Sequence, residues 1–192
     1  MIAIINYNAG NIRSVQNALT RLGYESVLTD DPATIRAAEK VIFPGVGEAK
    51  SAMQQLKAKG LDQVVKSLTQ PVLGICLGLQ LMCESSEEGH VDCLGIFPHK
   101  VLRFRGEAIV PHMGWNNFES LNSALCEGLD ITANVYYVHS YYAELGAQTS
   151  AVCHYITPFS AILEKANFYA TQFHPEKSAD IGNLILKNFL AL

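Results

Sequence analysis

The chain has 192 residues, 49% hydrophobic and 17% charged, with 14 Lys+Arg against 18 Asp+Glu for a formal charge of −4. A chain of that size buries roughly 70% of its unfolded surface, so one domain spanning 1–192 needs no disulfide or metal to hold a core. The weakly acidic balance argues against a broad grip on nucleic acid, and there is neither an apolar run of about eighteen residues nor a signal peptide, which makes the cytoplasm the expected compartment.

Residues 2–6 (IAIIN) form a short apolar run that reads as a buried strand. Asn8, Gly10 and Asn11 make a turn, after which Ile12, Val15, Leu19 and Leu22 fall at helical spacing and Gly23 stops the helix. Tyr24–Leu28 is a second strand. Pro32, a favoured first-turn residue, opens a short helix over 32–39. Val41–Phe43 is a third strand, ending in Pro44-Gly45-Val46-Gly47, and one or two helical stretches fill 48–69. Pro71–Ile75 is a fourth strand and Leu77–Glu84 a helix. Residues 84–93 are the longest polar, irregular stretch. Beyond them, 100–118 and 134–172 hold short β-like runs with little helix, and a final helix spans about 178–190. Alternating strands and helices predict an α/β fold: an open, mixed, mostly parallel sheet with helices on both faces and antiparallel strands at one side.

Five cysteines stand out: Cys76, Cys83, Cys93, Cys126 and Cys153. The number is odd and there is no CxxC. In a reducing compartment the default for each is a small buried hydrophobe. Cys76 departs from that default. The segment Gly74-Ile75-Cys76-Leu77-Gly78-Leu79-Gln80 follows an apolar strand and opens an apolar helix, which is a nucleophile elbow with Cys in place of Ser. A sharp strand-to-helix turn exposes the nucleophile at the carboxyl edge of the sheet, and glycines two residues to either side relieve the crowding. The helix start favours thiolate, and the Leu77 N–H can bind an oxyanion. Gln80, one turn on, lies on the same face as Cys76.

A nucleophilic thiol needs a base. His174 sits in Phe173-His174-Pro175-Glu176, after a strand candidate. In extended chain, residues i and i+2 point the same way, so His174 can face the thiol while Glu176 orients its other ring nitrogen. Both Cys76 and His174 follow predicted strands, which puts both at the ligand-binding edge of an open α/β sheet. Flanking glycines in Pro44-Gly45-Val46-Gly47 allow a second oxyanion donor. No histidine pair has zinc-site spacing, so neither a metal nor a cofactor is expected.

The elbow, the His-Pro-Glu segment and the Pro-Gly-Val-Gly strand end resemble the class I (triad) glutamine amidotransferases. Asn6-Tyr7-Asn8-Ala9-Gly10-Asn11, residues 84–89 (ESSEEG), Pro111-His112-Met113-Gly114-Trp115-Asn116 and Tyr137-Val138-His139-Ser140-Tyr141 narrow the likeness to glutaminase subunits that supply ammonia for imidazole glycerol phosphate. The likeness covers essentially the whole chain and implies a flavodoxin-like fold. The family usually has Asp where Asn6 stands, and often Gly where Asn8 stands; neither position belongs to the triad. By resemblance, Cys76 attacks the side-chain amide of glutamine, His174 shuttles protons and Glu176 holds His174. Leu77, Val46 and Gly47 form the oxyanion hole. Gly45, Gln80, Glu88, Ser140 and Tyr141 frame the glutamine pocket. His112, Met113, Trp115, Tyr136 and Lys177 face the partner and the ammonia passage. That partner is a (β/α)8-barrel cyclase subunit in a heterodimer. A paralogue feeding nucleotide-sugar amidation would share all this chemistry. A cysteine hydrolase of the same fold would share the triad, but Gln80, Glu88 and the Pro111–Asn116 segment argue against it.

Overall fold

The structure, a computed structural model, describes residues 1–8, 10 and 12–192; Asn11, read above as part of the first turn, lies outside them, as does Ala9. The elements in chain order are β1 (Ile2–Ile5), α1 (Ile12–Arg21), β2 (Ser26–Thr29), α2 (Pro32–Ala37), β3 (Lys40–Gly45), α3 (Ala49–Ala58), α4 (Leu61–Lys66), β4 (Val72–Cys76) and α5 (Leu77–Met82). Then come β5 (Ser85–Ser86), β6 (Val91–Asp92), β7 (Lys100–Arg103), β8 (His112–Asn116), β9 (Ser120–Leu121), β10 (Val135–His139) and β11 (Tyr141–Ala143). The chain closes with β12 (Thr149–His154), β13 (Pro158–Lys165), β14 (Phe168–Thr171) and α6 (Ala179–Ala191).

The main sheet has eight strands in the order β2-β1-β3-β4-β14-β13-β12-β9. From β2 to β14 every pairing is parallel; from β14 to β9 every pairing is antiparallel. The mixed, mostly parallel α/β fold with an antiparallel side is therefore what the alternation of elements predicted. Period-2 alternation divides each central strand between two cores. Val41, Phe43 and Val72 point to a core filled by Ile35, Met53, Leu56 and Val65 of α2, α3 and α4. Ile42, Leu73 and Ile75 point to the other, filled by Val15 and Leu19 of α1 and by Ile185, Leu186 and Phe189 of α6. Burial on both faces explains why these strands read as continuous apolar runs.

Local signals behave as their chemistry requires. Asp31 caps α2 by accepting from the Thr34 N–H at 2.8 Å, and Pro32 occupies the first turn. Some boundaries differ. The second strand starts at Ser26 rather than Tyr24, and the elbow helix ends at Met82, with Cys83 extended. The 84–93 segment is not irregular throughout: β5 pairs with β6 and with β7 in a small four-stranded sheet, β11-β7-β5-β6. Strands of two residues leave no periodicity to read. β8 and β10 pair by themselves as an antiparallel ribbon. Among the described residues no helix is long and apolar enough to cross a membrane.

Candidate active site

The elbow stands at the centre of the main sheet. β4 lies between β3 and β14, both parallel to it, so three strand ends meet at one edge: Gly45 pairs with Cys76 across β3–β4, and Thr171 pairs with Ile75 across β14–β4. Cys76 has φ 53 and ψ −105, a backbone conformation that costs a non-glycine residue of order 1–3 kcal/mol and persists where the surroundings enforce it. Gly78 lets α5 approach β3; a Cβ there would overlap the Phe43 carbonyl oxygen. A Cβ at Gly74 would lie 2.9 Å from the Met82 sulfur and 3.1 Å from the Gly78 and Leu79 backbone. The crowding read from the Gly-x-Cys-x-Gly spacing is therefore physical. Because α5 has only six residues, its dipole is short.

His174 and Glu176 follow β14. His174 Nδ1 and Glu176 Oε1 are 2.8 Å apart, and His174 is 1% exposed. Burial alone would depress the imidazole; the Cys76 sulfur, as a charge and a hydrogen-bond partner, outweighs it together with the Glu176 carboxylate, and the pKa is held up to about 10. His174 Nε2 is buried without a well-formed hydrogen bond among the described residues, and the Cys76 sulfur is within its electrostatic reach. Such contacts are often loose until substrate arrives. The backbone fixes this segment from a second side. His174 N–H donates to the Tyr136 carbonyl at 2.9 Å, and Ser178 Oγ donates to the His174 carbonyl at 2.7 Å while accepting from the Tyr136 N–H at 2.9 Å.

A cleft of about 360 Å³ opens over the thiol, within the size range of small-molecule sites. Val46, Gly47, Cys76, Leu77, Gln80, Glu88, Ser140 and Tyr141 all line it, with Pro111, Val138 and His139. Eight sequence candidates are thus brought to one cavity. Gly45 is not: it lies below, where a Cβ would overlap the Tyr7 hydroxyl. Tyr7 is buried against Phe43 and donates to the Pro44 carbonyl at 2.7 Å, which pins the strand end just before Gly45. Gly47 has φ +118, which only glycine adopts without strain. Glu88, in the polar 84–93 stretch, is tied to the fold and half-buried. Its Oε2 accepts the Ala49 N–H at 2.8 Å at the start of α3, and burial holds its carboxyl above the usual range, the Ala49 N–H opposing and Glu48 adding.

The outer residues divide by strand alternation. On β8, Met113 is 66% and Trp115 56% exposed, and Trp115 meets Tyr136 of β10 edge-on at 6.0 Å. Lys177 Nζ lies 6.0 Å from the Tyr136 ring centroid. His112 points the other way. It is 3% exposed, stacked between Tyr137 and Tyr155, with Nδ1 3.0 Å from His139 Nε2. His112 is thus buried behind the ribbon and not on the exposed face that Met113 and Trp115 share: one step along a strand turns a side chain to the opposite side. Sequence reasoning missed Tyr7 and His139 as supports, and Gln172, whose Nε2 lies 3.7 Å from Cys76 Sγ. Gln172 is two residues before His174 at a strand end, the same i, i+2 relation that revealed Glu176. All five cysteines are free; Cys83, Cys126 and Cys153 are buried and Cys93 partly so. Among the described residues no group of three His, Cys, Asp or Glu side chains could hold a metal.

Known proteins resemble this chain in sequence and in fold. The glutamine amidotransferase class-I family matches residues 3–192. The chain is 59% identical over 194 residues to the imidazole glycerol phosphate synthase subunit HisH of Bacteroides fragilis, covering 100% of this chain and 99% of that one. It is 48% identical to subunit HisH 2 of Legionella pneumophila, covering 100% and 98%. In fold it is similar to a putative GMP synthase component from Thermoplasma acidophilum, with TM-score 0.77 at 18% identity over 99% of this chain and 92% of that one. A solved glutamine amidotransferase gives TM-score 0.75 at 17% identity, covering 100% of this chain and 98% of that one.

Proposed function

This chain belongs to the class I glutamine amidotransferase family, among the HisH subunits of imidazole glycerol phosphate synthase, and from that premise we propose how it works: it hydrolyses glutamine at Cys76 and passes the ammonia to a (β/α)8-barrel cyclase subunit in histidine biosynthesis. The observation that carries the reading is the convergence of Cys76, His174 and Glu176 at adjacent ends of β4 and β14, beneath a cleft lined by Gln80 and Glu88.

The steps follow from the groups present. The Cys76 thiolate attacks the side-chain amide carbon of glutamine, forming a C–S bond and moving the carbonyl electron pair onto oxygen. The N–H groups of Leu77 and of the Val46–Gly47 segment hold that oxyanion; losing one such donor typically costs roughly 10²–10³ in turnover. His174, protonated in the resting pair, gives its Nε2 proton to the departing nitrogen, the C–N bond breaks, and ammonia leaves a thioester on Cys76. A water then gives a proton back to His174 and attacks the thioester. The C–S bond breaks, releasing glutamate and the thiolate. Glu176 keeps the Nδ1 proton on the far side of the ring throughout.

In this reading Gln80, Glu88, Ser140 and Tyr141 hold the amino-acid end of glutamine. Glu88 has a raised carboxyl pKa, so it takes up a proton earlier than an ordinary carboxylate as pH falls. Its grip on an α-ammonium is present above that pKa and lost below it. KM for glutamine is therefore expected to rise as pH is lowered through the range where Glu88 takes up its proton, and Glu88→Gln to raise KM at neutral pH, to converge on the wild type at low pH and so to flatten the profile. Steady-state KM measured across pH checks both.

The partner face is supported by exposed apolar side chains beside the catalytic edge: Ile109 (82% exposed), Met113 and Trp115. Their ribbon reaches His174 through the Tyr136 backbone. The experiment is ammonia release from glutamine by the full chain, alone and with the barrel cyclase together with its nucleotide ligand. A large stimulation is expected; equal rates would sink the coupling.

A further inference from the structure

We propose that Gln172 is a positioning residue that ties recognition of glutamine to the nucleophile, donating a hydrogen bond to Cys76 Sγ while holding the Gln80 side chain. This rests on the reading of Cys76 as the nucleophile. Gln172 has no exposed surface, and its backbone N–H is held by the Ala161 carbonyl at 2.9 Å. Its Nε2 lies 3.7 Å from Cys76 Sγ and its Oε1 3.2 Å from Gln80 Nε2. Gln80 Nε2 also lies 2.9 Å from the Tyr141 carbonyl oxygen.

The direction of this chain follows from its end point. A backbone carbonyl can only accept, so the Gln80 atom facing Tyr141 is the amide nitrogen. That nitrogen has two protons, one for the Tyr141 carbonyl and one for Gln172 Oε1. The Gln172 oxygen being engaged, its nitrogen is the end that faces Cys76, and an N–H directed at a thiolate is a charge-assisted donor. The Tyr141 carbonyl is fixed from its other side. Burial pushes His139 and His112 down, to about 3 and about 4, so both rings are neutral with one N–H each. Asn116 Nδ2 donates to His112 Nε2 at 3.3 Å, His112 Nδ1 to His139 Nε2 at 3.0 Å, and His139 Nδ1 to the Tyr141 carbonyl at 2.8 Å. Two donors thus converge on Tyr141, and neither amide is free to turn over.

Two consequences distinguish this from simple packing. Gln80, with both amide protons engaged, offers its oxygen to the cleft, an acceptor suited to an ammonium group. The thiolate gains a donor besides His174, which leaves the Leu77 N–H for the oxyanion. The titratable groups facing the sulfur are His174, backed by Glu176, and Tyr7, whose hydroxyl burial holds up with Cys76 adding.

The test is alkylation of Cys76 by iodoacetamide across pH on the full chain, read at the Cys76 peptide by mass spectrometry, with KM and kcat for glutamine alongside. Gln172→Met keeps the volume and removes both amide functions. Alkylation at neutral pH is expected to slow about tenfold, the order of one hydrogen bond to a charged group, with the profile moved to higher pH and KM for glutamine raised. Should Gln172→Met not fold, Gln80→Met frees the Gln172 amide and is expected to slow alkylation although Gln80 does not touch the sulfur. An unchanged alkylation profile in the folded variant overturns the proposal. Alkylation needs no turnover, so that result would leave the triad standing, to be judged by Cys76→Ala.

Discussion

Cys76→Ala is expected to abolish glutamine hydrolysis, lowering turnover by roughly 10⁴-fold or more, while the chain stays folded. Three features set that scale. Among the described residues the thiol is the one nucleophile in the cleft with a base of raised basicity beside it, and His174 owes its shift to that same sulfur and to Glu176. The residual rate comes from the oxyanion donors and from substrate binding, which the substitution leaves in place. The fold survives because alanine meets the same backbone strain at φ 53 that cysteine does, and the lost sulfur borders an open cleft. Ammonia release with and without the substitution, alongside thermal unfolding, checks both halves. Retained turnover would remove Cys76 from the chemistry.

Gly78→Ala is expected to produce a large loss of stability, about 3 kcal/mol or more. The added methyl would overlap the Phe43 carbonyl oxygen, a backbone atom in the middle of β3 with no side-chain freedom to give way. Either α5 lifts from the sheet or β3 shifts, and both carry the Leu77 N–H and Cys76 away from the Val46–Gly47 segment. For a chain of this length about 3 kcal/mol lowers Tm by roughly 6–12 °C. Glutaminase activity should fall even where the variant stays folded. Differential scanning calorimetry and turnover on the same sample check this. A wild-type Tm would show that the elbow has room that the geometry denies.

Much of the site was legible because its signals are local. The elbow is written in seven consecutive residues, Gly74–Gln80, and the requirement for each glycine is steric. His174 and Glu176 are two apart on extended chain, so their mutual orientation follows from backbone geometry alone. The parallel order of the central strands follows from alternating apolar runs and helical stretches. What was not legible depends on pairing across the fold. Glu88 reads as a loop charge until the start of α3 is brought against it. His112 and Met113 look equivalent in a six-residue motif, and only the packing of β8 on Tyr137 and Tyr155 decides which of them turns inward. Gln172 reads as one polar residue in an apolar stretch; its role appears when β14 is laid beside β4 and the Gln80 amide reaches it from α5. β5 and β6 are too short to carry a pattern, and they exist because β7 is there to pair with.

The most direct test of the central claim is labelling by a chloroketone that carries the amino-acid end of glutamine, with the modified peptide identified by mass spectrometry. The structure predicts inactivation with one label on Cys76, prevented by glutamine, and none on Cys83, Cys93, Cys126 or Cys153. Inactivation with the label on any other residue would contradict it.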